Sequence, residues 1–380
     1  MSTPRRALIV VALPVVLVGL ALMLAHGPRE KAIDFHTYEA AALVGVQHGW
    51  SQVYDQGLVA IAQHNLVPNQ RAQPFLSPPT LAWVTAPLLL LPYNAAAIAW
   101  AVITLGAFVF AVAWSSHYRG VERVVAAGAL VLPWWVMNAV GVGQVVPLVA
   151  AGVLVAWRLE REERHVLAGL TLAVILLKPN TALFVPFALL AAGRLRTFAA
   201  WVAVSAGVVA LAVATLGASG VSAYAASLAH LPPGANYLTL NGTYGLAGPA
   251  VMVVRIAVVA TALVTAYRVR TSPGLAIALG GLASLITAPY LHSSDLCLFV
   301  AAAWIVWNEL PTIAWRTALT VVWVAASPFV FVLVGAQLER WAIVELALFG
   351  GVVAFTWTRK PPATTDSFTG PAEFGRHAPA

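Results

Sequence analysis

The chain has 380 residues, of which 61% are hydrophobic and only 9% are charged, whereas about 25% of the residues in an ordinary soluble domain are charged. This number of charged side chains is too small to cover the surface of a water-soluble globule of this size. The composition therefore predicts a membrane protein. The hydrophobicity excludes a disordered chain, and the single cysteine excludes a disulfide scaffold. The net charge is +7, and the basic residues are scattered between the apolar runs. This distribution is typical of residues that orient a membrane protein, and not of a nucleic-acid-binding surface.

The N-terminal region predicts one membrane span followed by a long polar loop. Two arginines precede an apolar run at 7–25, which at about 1.5 Å per residue is long enough to cross a bilayer core of about 30 Å. A cleaved signal peptide has a shorter apolar core, so we expect a retained helix with its N-terminus in the cytoplasm. Residues 26–78 form the only long polar stretch inside the chain, and we expect them to lie on the far side of the membrane.

Apolar segments recur after this first loop. They lie at 79–91, 95–114, 124–136, 145–157, 166–177, 182–192, 198–216, 244–266, 275–288, 296–307, 313–334 and 341–357. Several are too short to cross a bilayer at about 1.5 Å per residue, so we interpret them as short spans, half-spans or members of buried hairpins. Basic connectors at 158–165, 194–196, 268–270 and 359–360 are expected in the cytoplasm by the positive-inside rule.

If these connectors are cytoplasmic, the turns between paired segments face the far side of the membrane. These turns are at 138–144, 178–180, 217–242 and 289–295. We therefore predict an all-α, polytopic protein with about 12 crossings, short half-span helices and a long first extracytoplasmic loop. The thirteen apolar segments cannot all cross if both termini are inside, and we expect the exception to lie at 79–114. Residues 1–360 are expected to form one membrane domain, and residues 361–380 a disordered cytoplasmic tail.

Aspartate provides the shortest list of candidate catalytic residues. The chain has four aspartates, and three of them, Asp34, Asp55 and Asp295, fall on the far side. A carboxylate at the membrane boundary, near apolar walls, can have a raised pKa and act as a general base on a sugar or alcohol hydroxyl. For Asp34, the residues alone indicate equally well a cap of the helix that follows. We interpret Asp55 as the cap of a helix at 56–65, and Asp295 could equally cap a helix at 296–307.

Three further polar residues stand in apolar surroundings on the same side. Lys178 is one of three lysines, and its ammonium needs a partner such as a lipid phosphate unless the side chain extends to the interface. Gln144, at the tip of a Gly-rich turn, could bind a sugar hydroxyl or satisfy local backbone groups. His292 follows Tyr290 closely, and it could relay a proton if the fold places it beside Asp34.

The sequence contains no metal-binding motif. Its nine histidines form no HExxH motif and no regular metal spacing, so we predict no structural metal site and no cofactor. The sequon Asn241-Gly242-Thr243 lies on the far side, and we interpret it as incidental.

The order and spacing of these motifs resemble glycosyltransferase family 87, polytopic enzymes of the GT-C class. The matching stretches are Asp34-Phe35 with Tyr38, Tyr54-Asp55, Pro78-Pro79 with the span that ends at 87–92 and Trp100, Gly143-Gln144, Gly169 with Lys178-Pro179, and Pro289-Tyr290 with His292 and Asp295. The chain departs from the family pattern at Leu76-Ser77, where an aromatic residue often precedes the two prolines.

The resemblance implies a GT-C fold with an extracytoplasmic active site and a polyprenyl-phosphate sugar as donor. Asp34 matches the first-loop acid that activates the acceptor hydroxyl in such enzymes, a displacement that inverts the anomeric carbon. The best-known members are actinobacterial enzymes that add α-1,2-mannose to phosphatidylinositol mannosides and lipomannan. We therefore expect transfer of a hexose, mannose, to a glycolipid or polysaccharide at a bacterial plasma membrane, with a divalent metal optional and nucleic acid not involved.

The residues expected to act in this reaction follow from the resemblance together with their side-chain chemistry. The expected catalytic residues are Asp34 and His292. A phosphate leaving group would use Lys178, Arg71 or His64 as positive partners. The residues expected to bind donor and acceptor are Tyr38, Tyr54, Asp55, His64, Arg71, Gln144, Lys178, Asn241, Tyr244, Tyr290 and Asp295.

A polytopic secondary transporter is the main alternative, because the topology and the intramembrane Lys178 would suit one. Transporters usually keep their extracellular loops short, whereas residues 26–78 hold several polar candidates, including Asp34 and Arg71. A lipid flippase or a scaffold subunit is a third possibility.

Overall fold

The computed structural model describes residues 32–229, 238–330 and 339–358, together with positions 14, 17–19 and 21. Within these residues the regular structure is entirely helical, which confirms the predicted all-α class. The helices are α1 (Ile33–His48), α2 (Gln56–Leu66), α3 (Pro79–Thr85), α4 (Tyr93–Ser115), α5 (Val121–Val131), α6 (Trp134–Gly141), α7 (Val146–Arg161), α8 (His165–Thr171), α9 (Pro179–Ala182), α10 (Phe184–Ala191), α11 (Leu195–Ala229), α12 (Leu240–Tyr244), α13 (Gly248–Arg268), α14 (Pro273–Thr287), α15 (Cys297–Glu309), α16 (Ile313–Ala325) and α17 (Glu339–Thr358). The predicted tail at 361–380 and most of the predicted first span at 7–25 lie outside the described residues.

Four of the described helices are long and apolar enough to cross a membrane. They are α4, α11, α13 and the part of α17 at Arg340–Thr358. Helices α5 and α6 reach this length only together, and they are bent by 71° at Pro133, which lacks the backbone N–H that a continuous helix requires. Other apolar helical segments are shorter, among them Pro79–Leu90 and His165–Leu177, in which a short 3₁₀ helix continues α3 and α8, respectively. The architecture fits a membrane protein with short buried helices, and the count of twelve crossings stays a prediction.

Two predicted turns are wrong in their extent. The turn expected at 217–242 is helical as far as Ala229, with a break at Gly217, whose φ of 62° and ψ of −178° are not helical. Residues 218–229 are rich in alanine, the best helix former, and this explains why the helix resumes after the break. The turn expected at 138–144 is shorter, because α6 continues to Gly141.

The core is centred on helices α7, α14 and α15. All 15 residues of α14 are buried, whereas the four candidate spans expose large apolar side chains such as Phe110 and Val253. This arrangement is typical of a helical bundle whose outer helices face lipid. A second apolar cluster joins α1, α2 and α3 to Trp100 of α4. The first loop is therefore a folded helical layer that packs on the membrane helices.

Polar side chains collect at the two opposite ends of α7. At its C-terminal end the buried Glu160 lies 3.6 Å from Arg194 and 3.1 Å from His165, which brings together two connectors predicted to be cytoplasmic. At its N-terminal end, about 24 Å away along a helix of 16 residues, lies Gln144 with the far-side candidates. The two groups of polar residues therefore lie at opposite ends of α7, and the side of the membrane that each group faces stays a prediction.

Candidate active site

The N-terminus of α1 docks on the turn between α6 and α7. The backbone N–H groups of Ala32 and Asp34 donate to the carbonyls of Gly141 and Val142, both at 2.8 Å. The first N–H groups of a helix lack partners within the helix, and here the neighbouring turn provides them. Asp34 therefore does not cap its own helix, and its half-buried side chain is available for other contacts.

Gln144 connects Asp34 to Tyr38. Its Nε2 donates to Asp34 Oδ2 at 2.9 Å, while its Oε1 accepts from the Tyr38 hydroxyl at 2.5 Å and from the Val145 N–H at 3.0 Å. Tyr38 follows Asp34 by four residues, so both side chains lie on one face of α1. The amide of Gln144 is 4% exposed and has partners on both atoms, so it fixes the orientation of the Asp34 carboxylate.

A glycine allows this close approach of the turn to α1. Gly143 has a φ of 76°, and a Cβ at this position would lie 2.5 Å from the Cβ of Phe35. The indole Nε1 of Trp100 donates to the Gly143 carbonyl at 2.8 Å, and the Phe35 ring stacks on the Trp100 ring at 5.8 Å. Only glycine adopts this backbone conformation readily and leaves room for Phe35.

Lys178 and Asp295 form a buried ion pair. The Lys178 Nζ lies 2.5 Å from Asp295 Oδ1, and the two side chains are 6% and 0% exposed. Asp295 Oδ2 accepts from the His292 N–H at 2.9 Å, and Asn180 donates to the Tyr290 carbonyl at 3.3 Å. These contacts join the turns at 178–180 and 289–295, and they leave Lys178 paired with a carboxylate rather than extended to the surface.

The Asp34 carboxyl faces this ion pair. Burial raises the pKa of Asp34 above its usual value of 3.8, while the nearby charges of Lys178 and His292 act in the opposite direction. His292 is exposed, and its ring lies with its edge toward Tyr290 at 6.2 Å. A carboxyl with a raised pKa, next to a buried ammonium and an accessible imidazole, can accept a proton from a bound hydroxyl and release it to solvent.

The structure brings together seven of the predicted site residues and leaves the others apart. The central cluster contains Asp34, Tyr38, Gln144, Lys178, Tyr290, His292 and Asp295. The exposed residues are Asp55, His64, Arg71, Asn241 and Tyr244.

Two first-loop candidates have other structural partners. Asp55 caps α2 as predicted, because its Oδ1 accepts from the N–H groups of Gly57 and Leu58 at 2.9 and 3.0 Å. Tyr54 is buried, donates to the Ser77 carbonyl at 2.8 Å and stacks on Tyr224 at 4.6 Å. Tyr54 therefore packs the first loop against α11.

Two ionisable residues near the cluster were missed. Glu345 in α17 is 1% exposed, its Oε1 has no hydrogen-bond partner, and it interacts electrostatically with Asp295. Arg255 in α13 donates to the Ala288 carbonyl at 3.3 Å. Both interrupt apolar runs in the sequence, and an ionisable residue within a span is a signal of function that could have identified them. Among the described residues, no group of three or more His, Cys, Asp or Glu side chains is arranged to hold a metal ion.

Comparison with known proteins assigns the chain to a family. No curated protein and no solved structure matches it. The model of glycosyltransferase family 87 matches residues 75–289, more than half of the chain. This region contains Gln144 and Lys178, whereas Asp34 and His292 lie outside it. The chain therefore belongs to glycosyltransferase family 87 and is a membrane glycosyltransferase.

Proposed function

We propose that this protein transfers a hexose from a polyprenyl-phosphate donor to a hydroxyl group of a glycolipid or polysaccharide, with Asp34 as general base. The observation that carries the proposal is the Asp34 carboxylate, which Gln144 holds at 2.9 Å beside the Lys178–Asp295 pair. The family supports sugar transfer, and the position of the site in a membrane protein favours a donor that is itself anchored in the bilayer.

The reaction is a single displacement at the anomeric carbon. The acceptor oxygen attacks this carbon while its proton passes to Asp34, and the bond from carbon to the phosphate oxygen breaks. The polyprenyl phosphate leaves with the bonding electrons, so the configuration at the anomeric carbon is inverted. One carboxylate is sufficient because a phosphate leaving group needs no strong general acid, in contrast to the paired carboxylates of most glycoside hydrolases. His292, exposed and close to Asp34, then carries the proton toward solvent.

The finer assignments rest on the family and on topology. Mannose is the proposed sugar, and a bacterial plasma membrane is the proposed location. The site lies at the end of α7 opposite the basic connectors, at 158–165 and 194–196, that the positive-inside rule assigns to the cytoplasm. The proposed reaction therefore takes place at the extracytoplasmic face.

The test is transfer by the purified protein in lipid nanodiscs, with polyprenyl-phosphate mannose as donor and products identified by mass spectrometry. Asp34→Asn keeps the shape of the side chain but removes the base, and it should lower kcat by a factor of about 10² to 10⁴. Asp55→Asn is the matched control, because Asp55 is an exposed helix cap. Its kcat should stay close to that of the wild type.

Two results would contradict the proposal. Full turnover by Asp34→Asn would remove Asp34 as the base while leaving the family assignment intact. No transfer by the wild type from any polyprenyl-phosphate sugar, together with solute uptake into proteoliposomes, would favour the alternative of a transporter.

A further inference from the structure

Arg255 is a cation inside a membrane-spanning helix. It is the eighth residue of α13, and a helix rises by about 1.5 Å per residue, so its Cα lies about 10 Å below the start of that helix. The residue is half-buried, and its Nε is buried without a hydrogen-bond partner. An arginine at such a depth is costly unless it meets an anion or a carbonyl group.

The only polar contact of Arg255 among the described residues is weak. One Nη2 donates to the Ala288 carbonyl at 3.3 Å. The adjacent span α17 carries a buried carboxyl, that of Glu345, but no ion pair of 4.0 Å or less joins it to Arg255 in the described part of the chain. The guanidinium has five N–H donors, and the only acceptor that it meets among the described residues is the Ala288 carbonyl.

The position of the guanidinium places it beside the candidate active site. Ala288 directly follows the last residue of α14 and begins the turn that carries Tyr290 and His292. His292 follows Ala288 by four positions, and an extended chain covers at most about 3.6 Å per residue, so these two residues lie within about 14 Å of each other. Tyr290 and His292 both interact electrostatically with Asp34. Arg255 therefore contacts the start of the turn whose Tyr290 and His292 lie near the proposed base.

The same helix faces the lipid. Met252, Val253 and Ile256 are 53%, 65% and 61% exposed, and they flank Arg255 in the sequence. A lipid in the outer leaflet can thus lie against α13 with its phosphate near the end of α14. Lys178, a second cation near the site in the described part of the chain, is buried and already paired with Asp295 at 2.5 Å, so it has less charge to offer a phosphate than Arg255 has.

We propose that Arg255 binds the phosphate group of the lipid-linked sugar donor and stabilises it as the leaving group. This inference rests on the proposed function and adds a residue that the sequence did not identify. The planar guanidinium can donate two parallel hydrogen bonds to phosphate oxygens. Negative charge on the phosphate increases as its bond to the sugar breaks, so the interaction strengthens in the transition state.

A purely structural role is the competing explanation. The carbonyls at the C-terminal end of a helix lack partners, and a cation near them is favourable, so Arg255 could serve only to cap α14. Substitution by glutamine separates the two roles, because the amide can still donate to Ala288 but carries no charge. Substitution by lysine keeps the charge and loses the planar fork.

The experiment measures binding of undecaprenyl phosphate, the sugar-free product, to nanodisc-embedded protein, followed by the donor KM and kcat of the same variants. Arg255→Gln should weaken binding at least tenfold, as expected for the loss of a charge-assisted hydrogen bond, while Arg255→Lys should retain most of the affinity. Arg268→Gln is the matched control. It removes an arginine from the other end of α13, where the guanidinium stacks over Trp357 at 4.7 Å, and it should leave binding unchanged.

Each outcome decides the inference. Equal affinity of Arg255→Gln and the wild type, with normal transfer, would overturn it and leave the proposed function standing. An equal loss of affinity for phosphatidylglycerol would also overturn it, because the site would then be a general lipid contact. Competition by inorganic phosphate in the wild type but not in Arg255→Gln would support a phosphate site. If the wild type neither binds undecaprenyl phosphate nor transfers sugar, the proposed function itself fails, and the inference falls with it.

Discussion

The buried pair of Lys178 and Asp295 leads to the sharpest prediction about stability. Asp295→Asn preserves the shape of the side chain but leaves the Lys178 ammonium without a counter-charge. The two side chains are 6% and 0% exposed, so water cannot compensate for the lost carboxylate. Breaking a buried ion pair on one side costs about 3–5 kcal/mol of unfolding free energy, and we expect Asp295→Asn and Lys178→Met to destabilise the protein by amounts in this range.

The double variant Lys178→Met/Asp295→Leu should recover much of this loss, because a buried pair replaced by apolar residues leaves no uncompensated charge. Unfolding can be followed by the fluorescence of the 14 tryptophans in detergent, at one fixed heating rate because unfolding of such proteins is commonly irreversible. The double-mutant cycle, read on the shifts in apparent Tm, then shows whether the two residues are coupled.

The exposed ion pair of Arg158 and Glu162 is a control, because its N···O distance is similar to that of the buried pair. Its atoms are 2.7 Å apart, but each side chain is 31% exposed, and pairs of this kind contribute about 0–1 kcal/mol. If Asp295→Asn loses no more stability than Glu162→Gln, the argument from burial is refuted. A double variant less stable than the sum of the two single variants predicts would refute it as well.

Three further predictions follow from the contacts of α1. Burial raises the pKa of Asp34 and the hydrogen bond from Gln144 lowers it, so Gln144→Leu should raise this pKa further and shift the acid limb of the pH–rate profile to higher pH; an unshifted limb would show that Gln144 does not act on Asp34. Gly143→Ala places a Cβ 2.5 Å from that of Phe35, so we expect the turn to move and kcat to fall at least about tenfold, and a wild-type rate in the transfer assay would contradict the close approach. Burial raises the pKa of Glu39 from 4.5 to about 7, so the folded chain retains a proton that the unfolded chain releases, and this contribution to stability is complete below pH 4.5 and declines until about pH 7. Glu39→Gln should therefore gain unfolding free energy relative to the wild type as the pH rises through this window, and melting temperatures that run in parallel between pH 5 and pH 8 would exclude the effect.

The class of the protein and several local features could be predicted from the sequence. Charge content and long apolar runs require a lipid-facing, helical chain, because a backbone in lipid must satisfy its hydrogen bonds internally. Asp55 was identified as a cap because capping depends on residues two or three positions away in the chain. The shortage of aspartates reduced the candidate bases to three, and the order of the motifs indicated the family.

The ends of the helices are predicted less well, because they depend on packing between helices and not only on the local sequence pattern. Hydropathy alone does not distinguish a turn from a polar helix, so the sequence predicts a loop from residue 217 where the structure has a helix that continues to Ala229. Pro133 lies inside an apolar run, so the sequence indicates a possible break there. The angle of 71° between α5 and α6 depends on how these two helices pack against the rest of the bundle.

The site itself was decided by tertiary structure. Gln144 meets Asp34 across 110 positions of the chain, and Lys178 meets Asp295 across more than 100. No periodicity or spacing specifies contacts at such separations, because they depend on which helices pack together. The sequence left open whether Lys178 meets a phosphate or extends to the interface, and packing pairs it with the Asp295 carboxylate while the Arg255 Nε has no partner among the described residues. The composition therefore determines that this protein folds in a membrane as a bundle of helices, while long-range packing decides which of its few charged side chains are paired.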